Sequence, residues 1–485
     1  MLDIVRLIAL PLLVFPMKQL VILITILVLG CLGSLYHPFW AVLLYYLLAV
    51  LRPQHLWDWA LPVEWRWSLC SVLIVLMSLA ANLPRIVSRL RVNAVGILTI
   101  MFGSWLMLSM LTAFNPQTSL TYGTDIGKIL LMALIAGIVI DRLWQIRALT
   151  LMLLTTIGYI AWEVNSLYLL QGRLDIFHYG YGGLDNNGAA LMLAMGIPFA
   201  YAYGTSAPRL WQRLASWTIG LLMLHAMLLA YSRGAMVAAG VGVIWLLVHH
   251  KPRINALMIV ILLAVAVSFL AGQEIRQRFM STQRYTTDSS SQARFLSWRA
   301  GWEIAWDHPI TGIGIRNSNR YTQNYGAEKF QQTIHSQYLQ IAADSGIPAI
   351  LIFIALLGTS MYYLTRARRM CRDQLSGDHD DHPSLLPERA VISHARQLIL
   401  SCQASLLIYA IGGVFLSLEM FELPWLLMVI AGVMPNALRN EFEQAANQPA
   451  PAKGPRLRGY YQQQIDRLRR TAPAIRNHGK GLAPQ

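Results

Sequence analysis

Charge is scarce in this sequence. Asp, Glu, Lys and Arg make up 13% of the 485 residues, while hydrophobic residues make up 55%. That balance excludes a soluble globular chain of this length. Cysteine is scarce too. Of the four, Cys31, Cys70 and Cys402 lie in apolar runs and Cys371 in a basic stretch. This excludes a disulfide framework and leaves them as small core residues. There is no CxxC pair, no HExxH, no P-loop and no acidic motif of the metal-dependent sugar transferases, so neither a metal nor a cofactor is expected. No internal repeat appears, which argues against the inverted-repeat transporters. The start of the chain has an apolar stretch without a small-residue cleavage site, so the first segments are expected to act as the insertion signal.

What is present is a series of apolar runs. Each is long enough, at ~20 residues, to cross a hydrocarbon core of ~30 Å as a helix. Residues 4–35 form one such stretch, interrupted by Pro11, Pro16 and Lys18. It reads as one kinked helix or two short ones. Further spans are expected at 38–51, 67–84, 93–114, 124–140, 148–170, 185–204, 213–230, 234–249, 253–271, 337–364, 397–418 and 421–438. The fold class is therefore an all-α polytopic membrane protein of about 12 to 14 transmembrane helices, with one large extracytoplasmic loop carrying interfacial helices. The expected division is transmembrane helices over 1–271, the large loop over 272–336, and transmembrane helices over 337–438 with a cytoplasmic loop at 365–396. A basic, disordered tail over 439–485 completes it.

Basic residues set the orientation. The net charge of +15 is read as cytoplasmic loop charge rather than a nucleic-acid surface. Arg85, Arg89 and Arg91 make one short basic connection; Arg142 and Arg147 make the next. Arg209 with Arg213, Lys251 with Arg253, and Arg366, Arg368, Arg369 and Arg372 follow. Each is two spans from the one before, so all share one side, assigned to the cytoplasm. The tail, with Arg467, Arg469 and Arg470, joins them. The other side then holds 52–66, 114–123, 171–184 and the long segment 272–336. That segment carries Arg276, Arg278, Arg284, Arg294, Arg299, Arg316, Arg320 and Lys329. Long loops escape the orientation rule, and cations on an outer surface beside a bilayer suit an anionic partner such as a lipid phosphate. Within the loop, Ala293 to Trp306 (ARFLSWRAGWEIAW), started by Ser289 to Ser291, reads as a helix lying in the interface.

Several residues there can carry chemistry. His335 ends the large loop at the mouth of the 337–364 span, and a neutral imidazole suits a general base; the plain alternative is a helix-start histidine bonded to backbone. Arg233, in YSRGA, sits in a tight turn on the same side. Its guanidinium can donate paired bonds to phosphate, or simply anchor the turn at the interface. Arg294 opens the interfacial helix, and Arg316 and Arg320 follow the Gly312/Gly314 turn. Asp185, Asn186 and Asn187 stand at the start of the 185–204 span; one is expected to cap it, and the others to meet sugar or phosphate. Lys128, near the outer end of its span, can add a cation. Glu163, His225, Glu419 and Glu422 are scattered in or near apolar runs without a relay spacing and read as satisfied structural pairs. Asp378-His379-Asp380-Asp381-His382 reads as a solvated loop on the opposite side.

Taken together, these stretches resemble a known family. AYSRGAMVAAGVGVIWLL, RFLSWRAGWEIAWDHPITGIGI and IHSQYLQIAADSGIPAILIF resemble, in order and spacing, three segments of the O-antigen ligase superfamily. LDNNGAALMLAMGIPFAYAY and the early YYLLAVLRPQHLWDW are similar to the branch of O-glycosylation ligases found with exosortase systems. The resemblance covers most of 35–365. It implies a metal-independent glycosyltransferase of the bacterial inner membrane, with its active site facing the periplasm. The donor would be a glycan on undecaprenyl pyrophosphate, and the acceptor a hydroxyl of lipid A-core, of another surface glycan or of a protein. It assigns His335 as base and Arg233 to the pyrophosphate, with Arg294 as the matching loop arginine. Arg316, Arg320, Lys128, Asn186 and Asn187 would support substrate. Attack from the face opposite the leaving group implies inversion. O-antigen polymerase and protein O-oligosaccharyltransferase remain open within the family. A lipid-linked glycan transporter or flippase is the reading from another class.

Overall fold

The computed structural model describes residues 16–57, 61, 67–84, 92–250, 289–327, 331–375, 386–418 and 420–447. The expected span at 253–271, the basic connections at 85–91 and 251–253, the 378–382 cluster, Glu419 and the tail beyond 447 lie outside the described residues. Among the described residues there is no strand beyond the isolated bridge Tyr181–Leu184, and the protein is an all-α membrane protein. The helices are α1 (Pro16–Tyr36), α2 (Pro38–Leu51), α3 (Pro53–Leu56), α4 (Trp67–Ala81), α5 (Ala94–Leu111), α6 (Pro116–Val139), α7 (Leu143–Gln171) and α8 (Asp175–Tyr179). After them come α9 (Asn186–Ser206), α10 (Leu210–Leu229), α11 (Arg233–His249), α12 (Ser289–Asp307) and α13 (Ser318–Tyr321). A 3-10 turn (Thr322–Tyr325), α14 (Gln337–Leu375), α15 (Leu386–Gly412) and α16 (Glu422–Asn447) complete the set.

Seven of these are long and apolar enough to cross a membrane, and α4 and α11 are shorter apolar helices. α9 is the buried axis of one half of the bundle. Its apolar window is 89% buried, against 11% for α1, so α9 is enclosed while α1 presents its side chains outward. α9 packs on α10, α15, α11 and α7, and α14 packs on α5, α15 and α16. Serines on α15 tie the axis in: Ser401 Oγ donates to the Pro198 carbonyl at 2.6 Å and Ser405 Oγ to that of Met195 at 2.8 Å. Such bonds matter where no water competes for the backbone. The outward faces of α1, α4 and α5 carry exposed Leu35, Met77 and Leu111, as a lipid-facing surface requires.

Helix ends and hydropathy edges differ. The span expected at 337–364 continues as helix to Leu375, and α15 starts at Leu386, so helix occupies much of the expected 365–396 loop. α16 likewise runs to Asn447, past the expected end at 438. Arg, Gln and Glu are good helix formers, so the helix outlasts its apolar part. At the other end, α6 starts at Pro116 rather than 124, capped by the Asn115 side chain on the Thr118 N–H.

The described basic connections meet at one end of the bundle. Arg147 donates to the Val391 carbonyl at 3.1 Å, Ser206 bonds His394 at 2.6 Å, and Arg368 lies over the Trp245 ring. The segments after α2, between α5 and α6, before α9 and after α12 gather at the opposite end.

The most constrained feature is a break in α14. Gly346 (φ 84°, ψ 172°) is non-helical, and Pro348 restarts the helix. The break frees carbonyls, and the segment 309–318 supplies donors for them. Ile313 N–H donates to Ala343 O at 3.1 Å and Gly314 N–H to Asp344 O at 2.8 Å, while Ile347 N–H donates back to Pro309 O at 2.7 Å. Ser109 Oγ adds a bond to Asp344 O and Trp105 Nε1 one to Ser345 O. The backbones are close enough that a Cβ on Gly346 would overlap the Ile310 carbonyl, and one on Gly312 the Asp344 backbone. We therefore expect Gly346→Ala to lower stability by at least about 2 kcal/mol, from strain plus overlap. Gly358→Ala, further along the same helix with open space at its Cβ, is expected to be neutral or stabilising by up to about 1 kcal/mol. Thermal melting of the detergent-purified variants checks both.

Candidate functional site

A cavity of about 570 Å³ opens at the end of the bundle opposite the basic connections. Its wall includes residues from all four segments that the charge pattern assigns to one side: Arg52, Tyr122, Gly183, and Arg316 with His335. Three of the five described non-glycine residues with positive φ are in this wall: Arg52 (47°), Arg316 (58°) and His335 (54°). Such conformations persist only where the surroundings impose them, and they concentrate at functional sites.

His335 is presented by α12. Ala293, Ser297, Trp298 and Gly301 form one face of that helix, and the extended stretch 332–335 docks on it. Ala293 O accepts from Gln332 Nε2 at 2.7 Å, Ser297 Oγ donates to Ile334 O at 3.1 Å, and Trp298 Nε1 donates to His335 O at 3.2 Å. Gly301 lets the Ile334 side chain sit against the helix, with a Cβ there only 3.0 Å from it. On the far side Gln337 N–H donates to Gly413 O at 2.7 Å, and Gln337 Oε1 accepts from Leu418 N–H at 3.1 Å. The imidazole is thus positioned between α12 and the α15–α16 connection. The exposed side of α12 carries Phe295, Trp302 and Trp306, as expected of an interfacial helix.

Arg316 is placed by the segment clasped in the α14 break. Asn317 next to it donates to Ser119 Oγ at 2.7 Å and accepts from Asn115 N–H at 2.9 Å, which ties the loop to the start of α6. The Arg316 guanidinium then lies 5.8 Å from the centre of the Tyr122 ring, a cation–π contact on α6. One and two turns further along α6, Asp125 and Lys128 form a 2.9 Å ion pair in the same wall.

Of the other expected site residues, Arg294, Arg233, Asn186, Asn187 and Arg320 are not in the cavity wall. Arg294, in the second turn of α12, is within electrostatic reach of the His335 ring. Arg233 is the first residue of α11, behind its cap Ser232. The Ser232 hydroxyl donates to Asn187 Oδ1 at 2.9 Å, and Asn187 Nδ2 donates to Asp185 Oδ2 at 3.2 Å. Asp185 is in the cavity wall and caps α9 through Gly188 N–H, so the Arg233 turn is joined to the wall by a short polar chain. A second route is apolar: Gly234 packs on Phe415, whose ring lies 6.2 Å from that of Trp298. Asn186 serves the fold, with its side chain donating to Ala230 O at 3.1 Å. Arg320 is exposed and donates to Thr118 Oγ1 at 3.1 Å.

Sequence reasoning missed Arg52, Asn319 and Ser417 as wall residues and took Glu422 for a structural pair. It is paired, with Arg52, but it also faces the cavity. Two sequence cues for Arg52 existed. It ends an apolar run immediately before Pro53, and it lies in one of the stretches that carry the family resemblance. His225, by contrast, is a satisfied core histidine bonded to Asn165.

The surroundings hold the His335 pKa below the ordinary imidazole value. Burial is the largest cause, and the cations Arg294 and Arg316 add to it, while Asp185 opposes them. The ring is therefore neutral at neutral pH and able to accept a proton. Removing a nearby cation relieves repulsion of the imidazolium, so Arg294→Gln is expected to raise this pKa. Asp185→Asn keeps the cap but removes the carboxylate and is expected to lower it. Diethyl pyrocarbonate modifies only the neutral ring. Its rate at the His335 peptide, followed by mass spectrometry against pH, measures both shifts and their sign.

Comparison with known proteins bears on the same region. Residues 218–354 match the family model described as O-antigen ligase. Among curated proteins, no sequence matches the chain. The matched segment runs from within α10 through Arg233, Arg294, Arg316 and His335 to just beyond the break in α14. Over this segment the chain, a multi-pass membrane protein, is similar to the O-antigen ligase family.

Proposed function

We propose that the cavity is the transfer site of a membrane glycosyltransferase that moves a glycan from undecaprenyl pyrophosphate to an acceptor hydroxyl at the periplasmic face. The observation that carries this reading is a neutral imidazole in a cavity wall shared with a fixed guanidinium, inside the segment matched to the O-antigen ligase family. His335 takes the proton of the acceptor hydroxyl, whose oxygen attacks the anomeric carbon. The bond from that carbon to the pyrophosphate oxygen breaks, and the pyrophosphate leaves with the electron pair. Attack from the opposite face inverts the anomeric centre.

Pyrophosphate becomes a good leaving group once its charge is balanced, and fixed guanidiniums do this without reorganising during the reaction. Arg316, which lines the cavity, takes this role. Arg294 acts on the same space, and Arg233 holds the lipid-phosphate end from the head of α11. A bilayer route for the polyprenyl chain is supported by α4, whose Leu69 and Val72 line the cavity while Leu73 and Met77 are exposed on its outward face. The acceptor reading that fits best is lipid A-core or another surface glycan.

His335→Ala is expected to reduce transfer in a reconstituted assay by about a hundredfold or more, the usual contribution of a general base, with expression and membrane insertion unchanged. Undiminished transfer would remove it from the mechanism. Arg233→Lys is expected to lose about tenfold or more, because a point ammonium does not reproduce the planar fork; normal donor affinity and turnover would reduce Arg233 to an interface anchor. Transfer is expected to persist in EDTA, and a strict requirement for an added divalent ion would contradict the arginine scheme.

A further inference from the structure

The cavity wall has hydrogen-bonding capacity that the chemistry at His335 leaves unused. Glu422, the first residue of α16, lines the cavity and accepts from Arg52 through Oε2 at 3.2 Å. Arg52 is itself fixed by the Gly182 carbonyl and lies 5.8 Å from the centre of the Phe421 ring. Gly182 has φ 59°, and a Cβ there would stand 2.8 Å from Arg52 Cδ, so this loop is shaped around the side chain. Two further wall residues, Asn319 and Ser417, each carry a side-chain oxygen, Oδ1 and Oγ, with no hydrogen-bond partner among the described residues.

These groups have a common character. An amide oxygen and a carboxylate only accept, and a serine hydroxyl accepts or donates. An ionised phosphate brings no proton to an acceptor, whereas a sugar hydroxyl does. Buried acceptors without partners are costly unless a ligand completes them. The charges that act on the His335 imidazole are those of Arg294, Arg316 and Asp185. The Arg52–Glu422 pair is a separate feature of the same wall. A cavity of about 570 Å³ has room for a sugar unit beside a phosphate group.

We propose that Glu422, Asn319 and Ser417 form a subsite that reads the hydroxyls of a neutral sugar unit, and that the Glu422 carboxylate excludes a uronic acid from it. This rests on the cavity being a glycan-transfer site. Arg52 keeps the carboxylate in place. A sugar carboxylate in the subsite would face Glu422 as a like charge. Rejection by an unfavourable group is a general means of specificity. The division also orients the donor: its phosphates go toward Arg316, and its hydroxyl-rich part toward Glu422.

The test uses the full-length protein in nanodiscs and four probes: maltotriose and N-acetylated chitotriose as neutral sugars, trigalacturonate as an acidic one, and inorganic pyrophosphate. At least one neutral trisaccharide is expected to bind about tenfold or more tighter than trigalacturonate, as like-charge exclusion requires. Glu422→Gln keeps an oxygen for Arg52 but removes the charge, and is expected to narrow that ratio to about threefold or less while pyrophosphate binding stays within about twofold. Should that variant lose pyrophosphate as well, Glu422→Asp carries the test, since it keeps the charge and is expected to keep the preference. A tenfold preference retained in Glu422→Gln, no preference in the unmodified protein, a preference lost in Glu422→Asp, or no neutral trisaccharide bound at millimolar concentration overturns the proposal. Failure of the transfer-site reading itself appears separately, as pyrophosphate binding that Arg316→Met leaves unchanged.

Discussion

Everything at the cavity end of this bundle depends on one buried contact, between the break in α14 and the segment 309–318. A helix interrupted at Gly346 frees backbone carbonyls where water cannot satisfy them, and each such group costs several kcal/mol. The segment 309–318 provides the missing donors, and Ser109 and Trp105 of α5 supply the rest. The Asp344 side chain secures the arrangement from the other direction. Its Oδ1 accepts from Ser318 N–H at 2.9 Å and its Oδ2 from Gln340 Nε2 at 2.7 Å. Neither the break nor the loop is satisfied alone, so each fixes the other. The direct consequence is the position of Arg316, whose left-handed backbone and contact with Tyr122 both follow from where residues 313–317 are held.

A second constraint comes from the solvent. Charges are few because most of the chain faces lipid or other helices, so those that remain gather at the two ends of the bundle. At one end Arg147 and Arg368 meet carbonyl and indole partners. At the other, cations and carboxylates share one cavity. There burial acts in two ways: it lowers the basicity of His335, and it makes the guanidiniums more effective toward an anion than they would be in water. A neutral imidazole and a cationic wall are therefore products of the same low-dielectric enclosure.

Much of this was legible in the chain. The apolar runs gave the class, because span length is fixed by bilayer thickness. The alternation of basic connections grouped the segments that supply the cavity wall, and His335, Arg316 and Lys128 are all in it. ARFLSWRAGW was readable as a helix, though not as the helix that holds His335, because the pairing of Ser297 and Trp298 with Ile334 and His335 is set by tertiary contact. Helices run past the expected spans to Leu375 and Asn447, since hydropathy marks the apolar limit rather than the hydrogen-bonded one. Arg52 as a wall residue, and its pairing with Glu422, escaped notice for a different reason. They are 370 residues apart, and each alone reads as an isolated charge beside an apolar run.

The central claim is that the imidazole of His335 and the anion-binding guanidiniums serve one enclosed space. The most direct measurement is protection of His335 from diethyl pyrocarbonate by inorganic pyrophosphate in the full-length protein, read at the His335 peptide. A bound anion both covers the ring and raises its pKa, so the account predicts modification that slows progressively as pyrophosphate saturates the protein. A His335 modification rate unchanged at saturating pyrophosphate would contradict it.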